Sequence, residues 1–188
     1  NDTFLKAEIV PFQKKKILND SSLNEMYIEA KRKLDGFRSM KLKTHEVFDF
    51  GKLSKYIANL VLFSGDHGFL WNNMRFYYNP KTKLLEPIAY DSNCGFNNIL
   101  LPSNRNILME ELFLSDSIFY YNYLQELNKV SKEEYLDSLF ESLELSLMDN
   151  VYLLKSEFID FSFDKDVFYN KSKIIKTALN NTTDENIF

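Results

Sequence analysis

The sequence predicts a mixed α+β domain, mostly helical, built around one central β-hairpin over about residues 73–78 and 84–90. Three observations predict it. Apolar residues recur at three- and four-residue spacing over most of the chain, as they do in helices with one buried face. In the middle this gives way to two short apolar or aromatic runs, MRFYY and LLEPIAY, separated by Asn79-Pro80-Lys81-Thr82-Lys83, whose residues have the chemistry of a hairpin loop. Composition supplies the core: 45% of the 188 residues are hydrophobic, and 17 Phe and 11 Tyr bring large areas to bury.

Taken in order, residues 1–20 read as an extended piece, TFLKAEIVPF, followed by a basic connector ending at Asn19-Asp20. A helix then follows, with Ser22 and Glu25 at capping-box spacing, an apolar series Leu23, Met26, Tyr27, Ala30 and Leu34, and a stop near Gly36. Asp49 is placed to cap the next helix, whose stripe is Leu53, Ile57, Leu60 and Val61 and which runs to Ser64-Gly65. In the hairpin, Pro87 cannot donate a ladder hydrogen bond, so its strand belongs at an edge or carries a bulge. Helical spacing returns over 106–113, 116–128 and 132 to about 158, the last with Ser131 and Glu134 as a capping box. A final helix is expected from about Asp164 to Leu179, before the polar tail NNTTDENIF. There is no internal repeat and no low-complexity linker, so the 188 residues read as a single domain.

Charge and cysteine count narrow the function classes. A net charge of -4 argues against a broad nucleic-acid surface. Lys14, Lys15 and Lys16 form a local basic run, read either as a solvated face or as a docking surface for an acidic partner. The single Cys94 excludes an intrachain disulfide framework and a multi-cysteine metal site. No apolar run reaches the length of a membrane span, and the first residues lack a signal-peptide pattern.

The candidate chemistry lies at the open end of the hairpin. Asp66, His67, Asn72 and Asn73 precede the first strand, and Asp91, Ser92 and Asn93 follow the second. Antiparallel return makes the start of one strand a neighbour of the end of the other, so Asn73 and Asp91 converge. Oxygen donors without sulfur suit a hard cation such as Mg2+ or Mn2+, completed by phosphate or water. On spacing alone, the same residues also read as turn-forming Asn and Asp bonded to backbone. A carboxylate pair from Asp66, Glu86 and Asp91 would serve glycoside hydrolysis only at a separation that sequence does not supply. There is no GxSxG elbow, and the five glycines are too scattered for a phosphate loop.

The stretch VFDFGKLSKYIANLVLFSGDHGFLWNNMRFYYNPKTKLLEPIAYDSN resembles the core of the CotH kinase family, named after a bacterial spore-coat kinase. The shared pattern is a helix leading to an Asp-containing loop, an Asn opening an aromatic strand, a turn, and a strand ending in Pro and then Asp. Here these are Asp66, Asn73-Met74-Arg75-Phe76-Tyr77, Asn79-Pro80 and Glu86-Pro87-Ile88-Ala89-Tyr90-Asp91. The resemblance implies a kinase-like C-terminal lobe and transfer of the ATP γ-phosphoryl group to Ser or Thr hydroxyls of a protein substrate. It implies that Asp91 and Asn73, with Asn93 as a further candidate, hold Mg2+ or Mn2+ and the ATP phosphates. Asp66 or the adjacent His67 would orient the acceptor hydroxyl. Nothing before residue 44 resembles a nucleotide lobe with its phosphate-binding Lys, so that lobe is expected upstream of Asn1. A coat, envelope or extracellular location follows from the same resemblance.

Overall fold

The computed structural model describes residues 7–70, 72–92 and 112–184. In chain order its elements are α1 (Lys14–Asn19), α2 (Ser21–Arg38), α3 (Thr44–Val47), α4 (Phe50–Phe63), one turn of 3-10 helix (Asp66–Phe69), β1 (Arg75–Asn79), β2 (Leu84–Ile88), α5 (Ser117–Val130), α6 (Glu133–Glu157) and α7 (Asp166–Asp184). The result is a mostly helical α+β fold with a two-stranded antiparallel sheet at its centre.

Helix α4 is the hub, packing against α5, α7 and β2. Its stripe of Leu53, Ile57, Leu60 and Val61 is buried, as the spacing predicts. Burial of each such side chain contributes about 1.5–3 kcal/mol. Asp49 caps the helix by accepting a 3.0 Å hydrogen bond from the Lys52 backbone N–H. The same residue's own N–H donates to Leu85 O at 2.9 Å, which joins the start of α4 to β2. Phe48, fully buried beside it, meets Phe37 edge-on at 5.0 Å, Phe76 of β1 at 5.0 Å and Phe113 at 5.4 Å. One aromatic ring thereby ties the hairpin to the helical layer.

The strands pair from Arg75↔Ile88 to Asn79↔Leu84. They are shorter than the expected 73–78 and 84–90, because the chain before Arg75 is held in a tight turn by the Asn73 and Met74 N–H groups donating to Leu70 O. Pro87 pairs with Phe76 in an unbroken register, at the edge of a two-stranded sheet and without a bulge.

Several helix ends differ from expectation. The basic connector is itself helical as α1. Asp20, not Ser22, caps α2, because Leu23 N–H reaches its carboxylate at 3.0 Å. Gly36 does not stop α2. The helix continues to Arg38, and a Cβ on Gly36 would lie 2.7 Å from Leu42 Cδ1, so glycine permits the following turn to close over it. Ser131 does not cap α6: its hydroxyl donates back to Asn128 O at 2.9 Å, and the helix starts at Glu133. Helix α7 runs on through the segment expected to be a polar tail, as far as Asp184. The expected 106–113 helix lies largely outside the described residues.

Candidate functional site

Helix α4 ends at Ser64, which adopts a left-handed conformation (φ 52°), and the chain turns at once into the single 3-10 turn beginning at Asp66. This turn carries His67 to the open end of the hairpin. There the His67 ring meets both residues that strand geometry predicts to converge. Asn73 Nδ2 donates to His67 Nδ1 at 3.0 Å, while Asp91 approaches the same nitrogen with its carbonyl oxygen at 3.2 Å and its carboxylate Oδ2 at 3.3 Å. Asn73 and Asp91 are thus brought together through one imidazole.

These contacts place opposing demands on Nδ1. Unprotonated, it accepts from Asn73; protonated, it donates to Asp91; one nitrogen does not do both at once. Asn73 has a second anchor, since its Nδ2 also donates to His67 O at 3.1 Å. That bond fixes which way the amide faces and leaves Oδ1 as the oxygen with which it can accept a hydrogen bond or ligate a cation. Asn73 is buried, whereas His67 and Asp91 are each about two-fifths exposed, at 45% and 40%. The polar cluster therefore has one fixed member and two that solvent or a ligand can reach.

The end of the hairpin is held from both sides. The Arg75 guanidinium donates to Asn72 O at 2.6 Å and Met74 O at 3.1 Å, and lies 4.5 Å over the Tyr90 ring. Cation–π stacking of this kind fixes the residue that precedes Asp91. Asp91 itself has φ 49°, a left-handed conformation that Asp and Asn tolerate better than most residues. On the other side, Tyr56 of α4 donates to Gly68 O at 3.1 Å. Burial pushes its phenol above the usual value, and a hydrogen bond with Ser92 works the other way. Gly68 is required by closeness, because an added Cβ would collide with Ser92 Oγ and lie 3.0 Å from Tyr56 OH.

Of the residues singled out from sequence, His67, Asn73 and Asp91 are gathered here. Asp66 opens the 3-10 turn, but its side chain lies outside what the structure describes, as does all of Asn93. Glu86 has partners of its own. It is bound to Lys52 at 2.6 Å and to Asn79 Nδ2 at 2.7 Å, and the Lys52 and Asn79 bonds hold its carboxyl below the usual range. Tyr56 and Arg75 were not legible as site residues. Their roles depend on α4 and the hairpin meeting in space, although the Arg75 and Tyr90 positions flanking the two polar clusters were a possible signal.

The donor set allows a limited kind of cation site. Among the described residues no three His, Cys, Asp or Glu side chains come together as a metal-holding group. What remains is one carboxylate, one amide oxygen and one imidazole. That set fits Mg2+ only in the mode where phosphate and water fill most of the shell. It does not fit a structural zinc site, which is closed by four protein ligands.

No family model, no curated protein and no solved structure matches the chain. Among the described residues no helix is long and apolar enough to cross a membrane.

Proposed function

We propose that this chain is the catalytic-core part of a CotH-like atypical kinase that moves the γ-phosphoryl group of ATP to Ser or Thr hydroxyls of a protein. The observation that carries the reading is the convergence of Asn73 and Asp91 on His67, at 3.0 and 3.3 Å, at the open end of the hairpin. Phosphoryl transfer relies on positioning and charge neutralisation more than on covalent chemistry, so a small oxygen-rich cluster is enough to define such a site. Asp91 and the Asn73 amide oxygen would hold Mg2+ or Mn2+, with Asn93 as a further ligand. The bound ion would neutralise charge on the ATP phosphates. His67, or Asp66 next to it, orients the acceptor hydroxyl and takes its proton as the hydroxyl oxygen bonds to the γ-phosphorus and ADP leaves. The reading also calls for a nucleotide-binding lobe with a phosphate-binding Lys, which nothing before residue 44 resembles.

A second reading is a non-catalytic binding or surface-assembly module with the same fold. The burial of Asn73 and the commitment of its Nδ2 to His67 favour it, because they hold the amide in place and leave Asp91, among the described residues, as the exposed carboxylate of the cluster.

Calorimetric titration of Mg-ATP into the full-length protein tests both, paired with phosphorylation of a Ser-rich peptide. The kinase reading expects metal-dependent nucleotide binding and phosphate transfer, both lost in Asp91→Asn. Binding without transfer selects the second reading. Unchanged metal-nucleotide affinity in Asp91→Asn would falsify the site assignment.

A further inference from the structure

Helix α6 is anchored mainly by its first two turns, with Leu147 a further, partly buried contact to the core. Leu136 and Phe140 are buried, and beyond Phe140 no residue of the helix is. The remaining 17 residues, Glu141 to Glu157, reach about 25 Å at 1.5 Å per residue. Along one side of this half stand Leu145 (79% exposed), Met148 (63%) and Tyr152 (75%), while Leu143, Leu153 and Leu154 are exposed elsewhere around it. Positions 145, 148 and 152 are separated by three and then four residues, the spacing of a helix seam made to pack against another chain segment. Helices this long owe most of their stability to burial of an apolar face, and here the face is bare.

Charge indicates what covers it. From Glu141 to Glu157 the helix carries four carboxylates, Glu141, Glu144, Asp149 and Glu157, against the one ammonium of Lys155. Glu144 and Asp149 directly flank the seam. Packing two α6 seams together would set these acids against each other, which disfavours a symmetric pair. The complementary surface occurs elsewhere on the same molecule. Over Val10–Leu18, Val10 (54%), Phe12 (63%) and Leu18 (46%) are exposed beside Lys14, Lys15 and Lys16, which are exposed too. The segment includes α1, which packs on α2, whereas α6 packs on α5 and α7.

We infer that the chain self-associates head to tail, the basic apolar Val10–Leu18 segment of one copy seating on the acidic apolar seam of α6 in the next. Such a contact uses two different patches, so a pair of copies still has one patch of each kind free and assembly continues with concentration instead of stopping at a dimer. It weakens with salt, because the charges that select it are exposed. The inference does not depend on the kinase reading.

Sedimentation velocity over a concentration series, at low and high salt, tests it on the 188-residue chain. The average mass is expected to climb with concentration at low salt and to fall back at high salt. Met148→Asp with Tyr152→Asp, both at exposed positions, is expected to leave only monomer, with circular dichroism unchanged. Two charge-reversed chains complete the test, one with Lys14, Lys15 and Lys16→Glu and one with Glu141, Glu144 and Asp149→Lys. Each alone stays monomeric, and mixing them restores association. A wild-type chain that is monomeric throughout overturns the proposal, as does association that survives the lysine reversal or a mixture that fails to associate.

Discussion

Asp116 receives His45 twice, from its backbone N–H at 2.8 Å and from its ring Nδ1 at 2.7 Å, with both contacts on the same carboxylate oxygen. The other oxygen accepts from Ile118 N–H at 3.1 Å and so caps α5. A single buried carboxylate therefore fastens α3 to the start of α5, helped by Thr44 Oγ1 donating to Phe113 O at 3.1 Å.

Asp116→Ala removes the cap and leaves the His45 N–H without its partner. A loss of about 2–4 kcal/mol is expected, from the usual cost of a lost N-cap together with a charge-assisted hydrogen bond. Urea unfolding measures it, and a loss under about 0.5 kcal/mol, the range of ordinary surface changes, would contradict the role assigned to Asp116.

Acid should act through the same residue. Burial opposes ionisation of Asp116, but the hydrogen bonds from His45 and Ile118 outweigh it and hold the carboxyl below its ordinary range. A depressed folded value means that its contribution is present above the unfolded value of about 3.9 and disappears as pH falls through the folded one. Stability measured across this acid window should fall more steeply in the wild type than in Asp116→Asn.

Alkali acts elsewhere. Burial and the 2.6 Å hydrogen bond that Tyr78 donates to Glu29 push the Tyr78 phenol up to about 12. Here the folded value is raised, so the contribution is intact below about 10 and is lost as pH climbs through about 12. Phenolate absorbance should show a late-titrating component, part of which Glu29→Gln brings to lower pH, and an unaltered titration in that variant would disprove the pairing.

Two glycines should respond in opposite ways to alanine. Gly68→Ala forces a Cβ into Ser92 and Tyr56 and is expected to cost about 1–3 kcal/mol, the usual range for overpacking. Gly51 sits in the first turn of α4 with only Asp49 Oδ1 nearby, at 3.6 Å. Gly51→Ala should be neutral or stabilising by up to about 1 kcal/mol, because alanine stiffens the unfolded chain. Thermal melts of the two variants give the comparison.

The parts of this fold that sequence made legible are those where one local signal dominates. The α4 stripe and its Asp49 cap, and the hairpin around Asn79-Pro80, are such cases. The misplaced helix starts share a cause. Asp20, Ser21 and Ser22 are all competent caps, and only packing decides between them. Helix α1, at six residues, is too short to show a period. At the site, strand antiparallelism brought Asn73 near Asp91, but His67 joins them across 24 residues from Asp91 through a turn that no local pattern announces.

Helix α4 and the second strand run between the same two anchor points. One anchor is Asp49 on Leu85; the other is His67 on Asp91. Between the anchors the chain runs on one side through the fourteen helical residues Phe50–Phe63 and the 3-10 turn, and on the other through β2 and the short segment that ends at Asp91. The length and phase of α4 therefore set where the imidazole arrives at the hairpin's open end. Adding one residue in mid-helix would swing everything after it by about 100° and carry the imidazole off Asp91, although no residue of the site had been changed.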